Sequence, residues 1–389
     1  MVLSPENCNA LLQHIVAATM AADRKSSQMD LVEDLRASED LKQGPVALDS
    51  LDQLAVARSV TEFFEMDKTG AEELLLRRHK LSQWAELVVE GIASGVISHL
   101  WFRTGGSTGE PKLVSHPIDR LLNETCEIAK LVGKIHRIVS LVPLHHIYGC
   151  LWGPLLSEAL DVPLVHGNQA RQVVHQSLKP GDLVIAVPEW WRYLAGSRTV
   201  IPEGIQGVTS TAPCPPDTLD QALERGFDCI IEVYGSSETG GIGWRTDRHQ
   251  GFQLFPHWQK LDDDHLVAGN GDQFLLPDLV TWQSAEVLVP GNRRDGAIQV
   301  GGINVWPNRI RDFIESHSHV SECAVRPTVT ELGTRLKAFI VPGATDTDSE
   351  TLREELNTWL RQNLSAAERP VSLTLGDKLP RNPMGKLCD

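Results

Sequence analysis

The run Thr104-Gly105-Gly106-Ser107-Thr108-Gly109-Glu110-Pro111-Lys112 places three glycines, three hydroxyl side chains and a lysine within nine positions. It follows directly on the apolar segment HLWFR. A strand that empties into a Gly/Ser/Thr loop lets backbone N–H groups converge on phosphate oxygens. Glycine allows the close approach and the unusual dihedrals this requires. Thr104, Ser107 and Thr108 add hydroxyl donors, and Lys112 adds a charge. The run is not a Walker A loop, because Pro111 stands where that motif needs glycine before the lysine. Taken alone, it suits a phosphate cradle and a plain surface loop equally.

Three further runs carry chemistry-bearing residues. Glu232-Val233-Tyr234-Gly235-Ser236-Ser237-Glu238-Thr239-Gly240 follows the apolar CII and so sits at a strand end, where open α/β sheets place ligands. A tyrosine beside a glycine can lie on a flat base, and adjacent hydroxyls with a carboxylate can hold a phosphate and its Mg²⁺. The bland alternative is a surface turn after a buried strand. Pro143-Leu144-His145-His146-Ile147-Tyr148-Gly149 also follows an apolar run. Adjacent histidines in an extended segment point to opposite faces and chelate poorly. One histidine facing a site and the other satisfied structurally is the expected arrangement. Last, Leu379-Pro380-Arg381-Asn382-Pro383-Met384-Gly385-Lys386 ends the chain with a lysine held between prolines and a glycine, a pattern that ordered tails also show.

The elements that must position these runs are short apolar segments alternating with helical ones. Strands are predicted at 96–103, 138–142, 164–166, 183–187 and 229–234, and helices at 120–131, 151–160 and 216–225. This alternation predicts an α/β domain with a buried sheet. Residues 1–95 read as mostly helical. Ser4-Pro5 looks like an N-cap and first turn, and 71–92 carries leucines at helical spacing. Beyond about residue 294, strands at 297–300, 323–326 and 336–341 with helices at 308–316 and 349–363 suit a small α+β domain. The charged, glycine-flanked GNRRDG between them has the composition of a hinge.

Bulk properties limit the function classes. The 389 residues are enough for two domains, and the composition is that of a soluble globular chain, 41% hydrophobic and 22% charged. A net charge of -15 without basic clusters excludes a general nucleic-acid binder. The seven cysteines are odd in number and never spaced CxxC, which disfavours a disulfide framework and a structural zinc site and predicts reduced thiols in the cytoplasm. The N-terminus lacks the basic region of a secretory signal, and the most apolar stretch is broken by Pro143, His145 and His146, so no membrane association is expected.

Together and in this order, the four runs resemble the adenylate-forming superfamily of acyl- and aryl-CoA synthetases, luciferases and peptide-synthetase adenylation domains. TGGSTGEPK is similar to its phosphate loop, and PLHHIYG to the acid-site motif of coumarate-CoA ligases. STAPCP (210–215) is similar to the adenine-pocket segment, with YGSSE after it. PDLVTW, with Asp278, resembles the ribose-binding motif, NRRDGAIQVGGINVWP the hinge-and-glycine motif, and LPRNPMGK the mobile catalytic-lysine motif. The resemblance covers about residues 96–389. Within it, the layout of a short ligase resembles the coumarate-CoA ligases that activate the chromophore acid of photoactive yellow protein. The chain departs from the pattern in its short region before the phosphate loop, in Asn292 where a glycine is usual, in Gly296 where a second acid is usual, and in Gly105 where a hydroxyl residue is common.

The resemblance implies a large α/β N-terminal domain of the adenylate-forming type over 1–294, binding ATP and acid, and a small mobile α+β C-terminal domain over 295–389. It implies ATP-dependent conversion of a carboxylic acid to acyl-AMP, then thioester formation with CoA. An aryl-AMP ligase that loads the phosphopantetheine of an acyl carrier protein would keep every motif. A nucleotide-sensing module would be expected to lack Lys386. Thr104, Gly105, Gly106, Ser107, Thr108, Gly109 and Lys112 would handle the β- and γ-phosphates. Thr211, Ala212, Pro213, Tyr234, Gly235 and Ser236 would surround the adenine, with Ser237 at the α-phosphate and Glu238 on Mg²⁺. Asp278 and Arg293 would take the ribose. His146 would border the acid carboxylate, and Lys386 would bridge carboxylate and α-phosphate. Tyr148, Val233, Gly240 and Gly241 would border an acid pocket with room for a flat ring. Rotation at Asp295 would exchange Lys386 for Gly301 and Gly302, lining a channel for the pantetheine arm.

Overall fold

The structure, a computed structural model, describes residues 3–24, 27–38, 40–66, 70–104, 112–301, 303–330, 333–343 and 348–379. The chain opens with five helices: α1 (Pro5–Arg24), α2 (Gln28–Ala37), α3 (Ser50–Phe63), α4 (Ala71–Leu76) and α5 (Leu81–Ala93). Ser4 Oγ accepts from the Asn7 amide at 3.2 Å, satisfying one of the donors a helix start leaves free. A capping box between Asp49 and Asp52 does the same for α3. The single helix predicted over 71–92 is instead two. The chain leaves helical geometry at Arg77–Lys80, where the His79 carbonyl accepts from the Leu41 amide at 2.6 Å and Lys80 forms a β-bridge with Asp40. A tertiary backbone pairing overrides the leucine periodicity there.

Two strands, β1 (His99–Thr104) and β2 (Lys112–Pro117), form their own small sheet and lead into α6 (Ile118–Val132). The central sheet has nine strands. Five are parallel: β3 (Arg137–Ser140), β4 (Leu164–His166), β5 (Asp182–Ala186), β6 (Ile205–Thr209) and β7 (Phe227–Ser236), in the spatial order β4-β3-β5-β6-β7. The connecting helices are α7 (Ile147–Cys150) and α8 (Leu156–Leu160), joined by a π-helical turn at Leu151–Leu155, then α9 (Gly167–Gln176), α10 (Pro188–Gly196) and α11 (Pro216–Glu224). All five residues of β5 are buried, as a strand covered on both faces requires. Beyond β7 the sheet continues antiparallel through β8 (Gly240–Arg245) and β9 (Phe252–Leu254). A three-stranded sheet of β10 (Trp258–Lys260), β11 (His265–Ala268) and β12 (Gln273–Leu275) follows, and β13 (Asp278–Trp282) and β14 (Val287–Arg293) complete the large one.

The chain separates into two compact units. The first holds helices α1 to α11 and the main body of the large sheet; the second holds Lys112, Pro277–Leu279 and the described chain from Pro290 onward. The second unit contains the hairpin β15 (Ile298–Val300) and β16 (Ile303–Val305), helix α12 (Pro307–Glu315), the long hairpin β17 (Val320–Thr330) and β18 (Gly333–Pro342), helix α13 (Ser349–Asn363), and β19 (Ser372–Leu375) parallel to β18. It has its own apolar core, to which α13 contributes Leu352, Leu356 and Leu360 at four-residue spacing.

Candidate active site

In the first unit the parallel strands bring distant motifs to one edge. The Pro143–Gly149 segment follows β3, Ser210–Pro215 leaves β6, and Ser236–Thr239 leaves β7. Carboxyl ends of adjacent parallel strands are where open α/β sheets bind ligands. Ser210 Oγ donates to the Val233 carbonyl at 2.9 Å and ties the second loop to β7. Thr211 takes a left-handed conformation, φ 78°, and its buried hydroxyl has no partner among the described residues. Strain and an unspent hydroxyl at a strand tip are features of ligand sites. Ala212 and Pro213 continue this loop. Tyr234 packs against Phe252 with ring centroids 5.7 Å apart.

The turn after β7 is closely held. The Ser236 and Thr239 hydroxyls lie 3.0 Å apart, and each accepts the other residue's amide. Gly235 has no room for a side chain, since a Cβ there would lie 2.2 Å from the Gly240 carbonyl oxygen. The Ser237 carbonyl accepts from His116 Nε2 at 2.7 Å, the Thr239 carbonyl accepts from Arg120 at 2.6 Å, and the Gly241 amide donates to Glu124 at 2.7 Å. Glu238 is exposed and makes no hydrogen bond or ion pair with any described residue. A free carboxylate on a fixed turn suits a hard divalent cation such as Mg²⁺.

Glu124 also changes the expected acid pocket. A Cβ on Gly240 would lie 2.4 Å from its Oε2, and one on Gly241 would lie 2.7 Å from its Oε1 and 2.9 Å from Phe255. On the side where a Cβ would stand, the space against these glycines is taken by that carboxylate. Tyr148 is buried, and its hydroxyl, 3.1 Å from the Ala186 carbonyl and 3.0 Å from that of Val208, is spent on the sheet. Val233 belongs to the core.

His145 and His146 do not point to opposite faces. The segment is a turn rather than a strand, the two rings lie 4.4 Å apart, and both line one cavity of about 340 Å³. Ile15 of α1, Phe63 of α3, and Trp101 and Arg103 of β1 form other walls, so the N-terminal helices help to shape the space that His146 borders. His146 keeps exposed surface at this recess, and the surrounding protein lowers its pKa by desolvation, so the ring is neutral. Behind it, His14 Nε2 lies 3.1 Å from His166 Nδ1, and burial pushes the latter ring down to about 3. A larger, open depression of about 630 Å³ beside α10 holds none of the motif residues.

In the second unit, Asp278 opens β13 and is buried. Arg293 forms a two-pronged pair with Asp295, at 2.9 and 3.0 Å, and Asp295 also accepts from the Ala297 amide at 3.0 Å. Burial alone would raise the Asp295 pKa, but these partners hold it below the usual value. Gly301 has a positive φ of 60° at the hairpin turn. Thr104 ends β1 and Lys112 opens β2, while Gly105, Gly106, Ser107, Thr108, Gly109, Gly302 and Lys386 lie outside the described residues. His317, His319 and Glu355 bring ligand-type atoms within 4.8 Å of one another. His317 Nδ1 accepts from the His319 amide at 3.4 Å, which leaves its Nε2 facing Glu355, 3.6 Å away. His116, Arg120 and Glu124 were not singled out in sequence. Their only signal is a four-residue spacing that a helix surface shares.

Comparison with known proteins fits this arrangement. Residues 18–269 match the AMP-binding enzyme family, and residues 310–386 match its C-terminal domain. A 4-coumarate–CoA ligase of Halorhodospira halophila is 36% identical over 99% of both chains, and one of Rhodobacter capsulatus is 33% identical over 88% of this chain and 90% of its own. An o-succinylbenzoate CoA synthetase of Bacillus subtilis shares the fold, with a TM-score of 0.62 at 20% identity over 74% of this chain and 67% of the other. A malonyl-CoA ligase does so with a TM-score of 0.56 at 19% identity, covering 72% and 71%. The fold and the curated relatives define an AMP-forming acid–thiol ligase. The chain belongs to the AMP-binding enzyme family.

Proposed function

We propose that this chain activates an aryl or cinnamyl acid of the 4-coumarate type with ATP and Mg²⁺ and transfers it to CoA in the cytoplasm. The observation that carries the reading is the likeness to a 4-coumarate–CoA ligase along 99% of both chains. A cavity of about 340 Å³ beside the neutral His146 is within the size range of small-ligand sites. No described helix is long and apolar enough to cross a membrane, and the six described cysteines are free, as a reducing compartment would keep them.

A carboxylate is a poor electrophile. In the first step one carboxylate oxygen bonds to the α-phosphorus of ATP and pyrophosphate departs. In the second a thiolate bonds to the acyl carbon and AMP departs. The first step sets one anion against another, so catalysis rests on positioning and charge neutralisation. His146 is neutral and can approach the acid carboxylate without competing as a cation for the nucleotide. Tyr234 offers a ring face to the adenine, and Thr211 offers an unused hydroxyl. Glu238 would hold Mg²⁺, which when bound neutralises phosphate charge. The phosphate loop from Thr104 to Lys112 would enclose the β- and γ-phosphates, Asp278 and Arg293 would take the ribose, and Lys386 would join carboxylate and α-phosphate.

The test is pyrophosphate release from ATP and Mg²⁺ with a panel of acids, with and without CoA. Release that depends on 4-coumarate or a close aryl analogue, with thioester formed only when CoA is present, is expected. Preference for a long-chain fatty acid would defeat the substrate assignment. Acyl-AMP that persists with CoA and discharges only to a carrier protein would defeat the acceptor assignment.

A further inference from the structure

His116, Arg120 and Glu124 stand four residues apart, at the end of β2 and on one face of α6. They meet the backbone of the β7–β8 turn at alternate residues: Ser237, Thr239 and Gly241. Arg120 and Glu124, one turn apart on α6, advance about 6 Å along the helix and so can address separate residues of the chain alongside. His116, Glu124 and Thr239 are each almost wholly buried. Arg120 is held from outside as well, its guanidinium 4.3 Å from the Phe274 ring centre and 5.0 Å from that of Trp258. Trp258 in turn donates to the Gly241 carbonyl at 2.7 Å, so both polar groups of Gly241 are fixed. Gly240, with φ 72° and no space for a Cβ beside Glu124, completes the bend. Nothing in this row reaches the Glu238 carboxylate; each of its hydrogen bonds to the turn is to backbone.

We propose that His116, Arg120 and Glu124 are positioning residues that hold the Ser237–Gly241 backbone in one conformation, aiming Ser237 and Glu238 at the nucleotide and its metal. The aim of those two side chains rests on the reading given under Proposed function; the fixing of the backbone does not. The donors and acceptors match throughout. The Ser237 carbonyl requires a proton on His116 Nε2, Arg120 can only donate to Thr239, and Glu124 accepts from Gly241. Bonds of this kind, buried and in part charge-assisted, cost most when one partner is removed.

The experiment compares Glu124→Leu, Arg120→Gln and Glu124→Gln with the wild-type chain. Backbone amide exchange is followed by mass spectrometry over 236–242, alongside pyrophosphate release at varied Mg·ATP and varied acid. Glu124→Leu removes the acceptor and should speed exchange in that segment about tenfold, the loss of one buried hydrogen bond, without a change elsewhere. Glu124→Gln keeps an acceptor oxygen and should stay close to wild type. Arg120 is half-buried, so Arg120→Gln provides the same reading if the leucine variant does not fold. Both damaging variants should raise half-saturation by Mg·ATP and leave that for the acid unchanged. Unchanged exchange over 236–242 in the folded variants, or faster exchange spread evenly along the chain, would overturn the proposal. A wild-type chain that releases no pyrophosphate with any acid would defeat the functional reading and leave the exchange result to judge the clamp by itself.

Discussion

Glu124 shows how one buried side chain sets both local geometry and pH response. Burial pushes its carboxyl up to about 8, against smaller opposing contributions from the Gly241 amide and Arg120. The groups facing it are Arg120 on its own helix, the Gly241 amide of β8, and His257, whose Nε2 lies 4.0 Å from its Oε2; Asp272 acts on Arg120 in turn. Burial lowers both His116 and His257 to about 4. From the usual 4.5 up to about 8, the folded chain keeps a Glu124 proton that the unfolded chain has released, so stability falls as pH rises. The histidines act oppositely, adding stability as pH rises from about 4 to the usual 6.5. Between pH 6.5 and 8 the Glu124 contribution stands alone among these groups, and at about 1.4 kcal/mol per unit it amounts to about 2 kcal/mol. Urea unfolding at the two pH values should show wild type losing about that much more than Glu124→Gln; equal losses would refute the assignment. A second residue-scale prediction concerns Tyr148. Tyr148→Phe withdraws a donor from the Ala186 and Val208 carbonyls and should cost about 1–2 kcal/mol in denaturant unfolding while leaving the acid KM unchanged. A raised KM at unchanged stability would return Tyr148 to the substrate pocket.

Among the elements, the turn between β3 and α7 is under the strictest steric demand. A Cβ on Gly149 would lie 2.1 Å from the Pro143 carbonyl oxygen, backbone against backbone, with no flexible side chain to yield. Gly149→Ala should therefore cost more than about 3 kcal/mol and deprive the chain of soluble, cooperatively melting protein. Gly70→Ala, at φ 70° and ψ 11° with nothing within 4 Å, carries only the left-handed strain of about 1 kcal/mol. A soluble Gly149→Ala that melts like Gly70→Ala would disprove the argument. The same scale shows what sequence could reveal. Four of the five parallel strands were legible because each is a short apolar run bounded by turn residues, and Leu164–His166 and Ser349–Asn363 fall where their patterns place them; β6 was missed, because Gln206 and Gly207 interrupt its apolar run. The break between α4 and α5 was not, because it depends on pairing with residues 40 and 41, which local periodicity does not contain. The antiparallel strands from β8 to β14 were missed because several are only three residues long and β8 is rich in glycine. The strand-tip motifs were readable as chemistry, but the row from β2 and α6 that meets one of them was not. A histidine, an arginine and a glutamate at four-residue spacing look like any polar helix face until the β7–β8 turn is laid against them.

At the scale of the whole molecule, the two half-reactions make different demands on one chain, and the proposed hinge at Asp295 is where a variant tests their separation. Its carboxylate is engaged by Arg293 and by the Ala297 amide, so the backbone on either side of it is pinned through a side chain rather than through sheet pairing. A joint held this way can be released by breaking two or three polar contacts, which costs far less than unpairing strands. Proline at this position would remove the carboxylate and restrict φ to about -65°. Under the proposed hinge role, Asp295→Pro should leave acid-dependent pyrophosphate release within about threefold of wild type while slowing thioester formation from acyl-AMP at least about a hundredfold, a barrier increase of roughly 3 kcal/mol. Lys386→Ala should give the converse, losing adenylation and keeping the transfer from supplied acyl-AMP to CoA. Single-turnover measurements of each half-reaction on both variants decide the matter. Equal loss of both steps in Asp295→Pro would mean that residue 295 supports folding or binding rather than a change of state. Undiminished adenylation in Lys386→Ala would remove the lysine from the chemistry, and with it the reason for any such rotation.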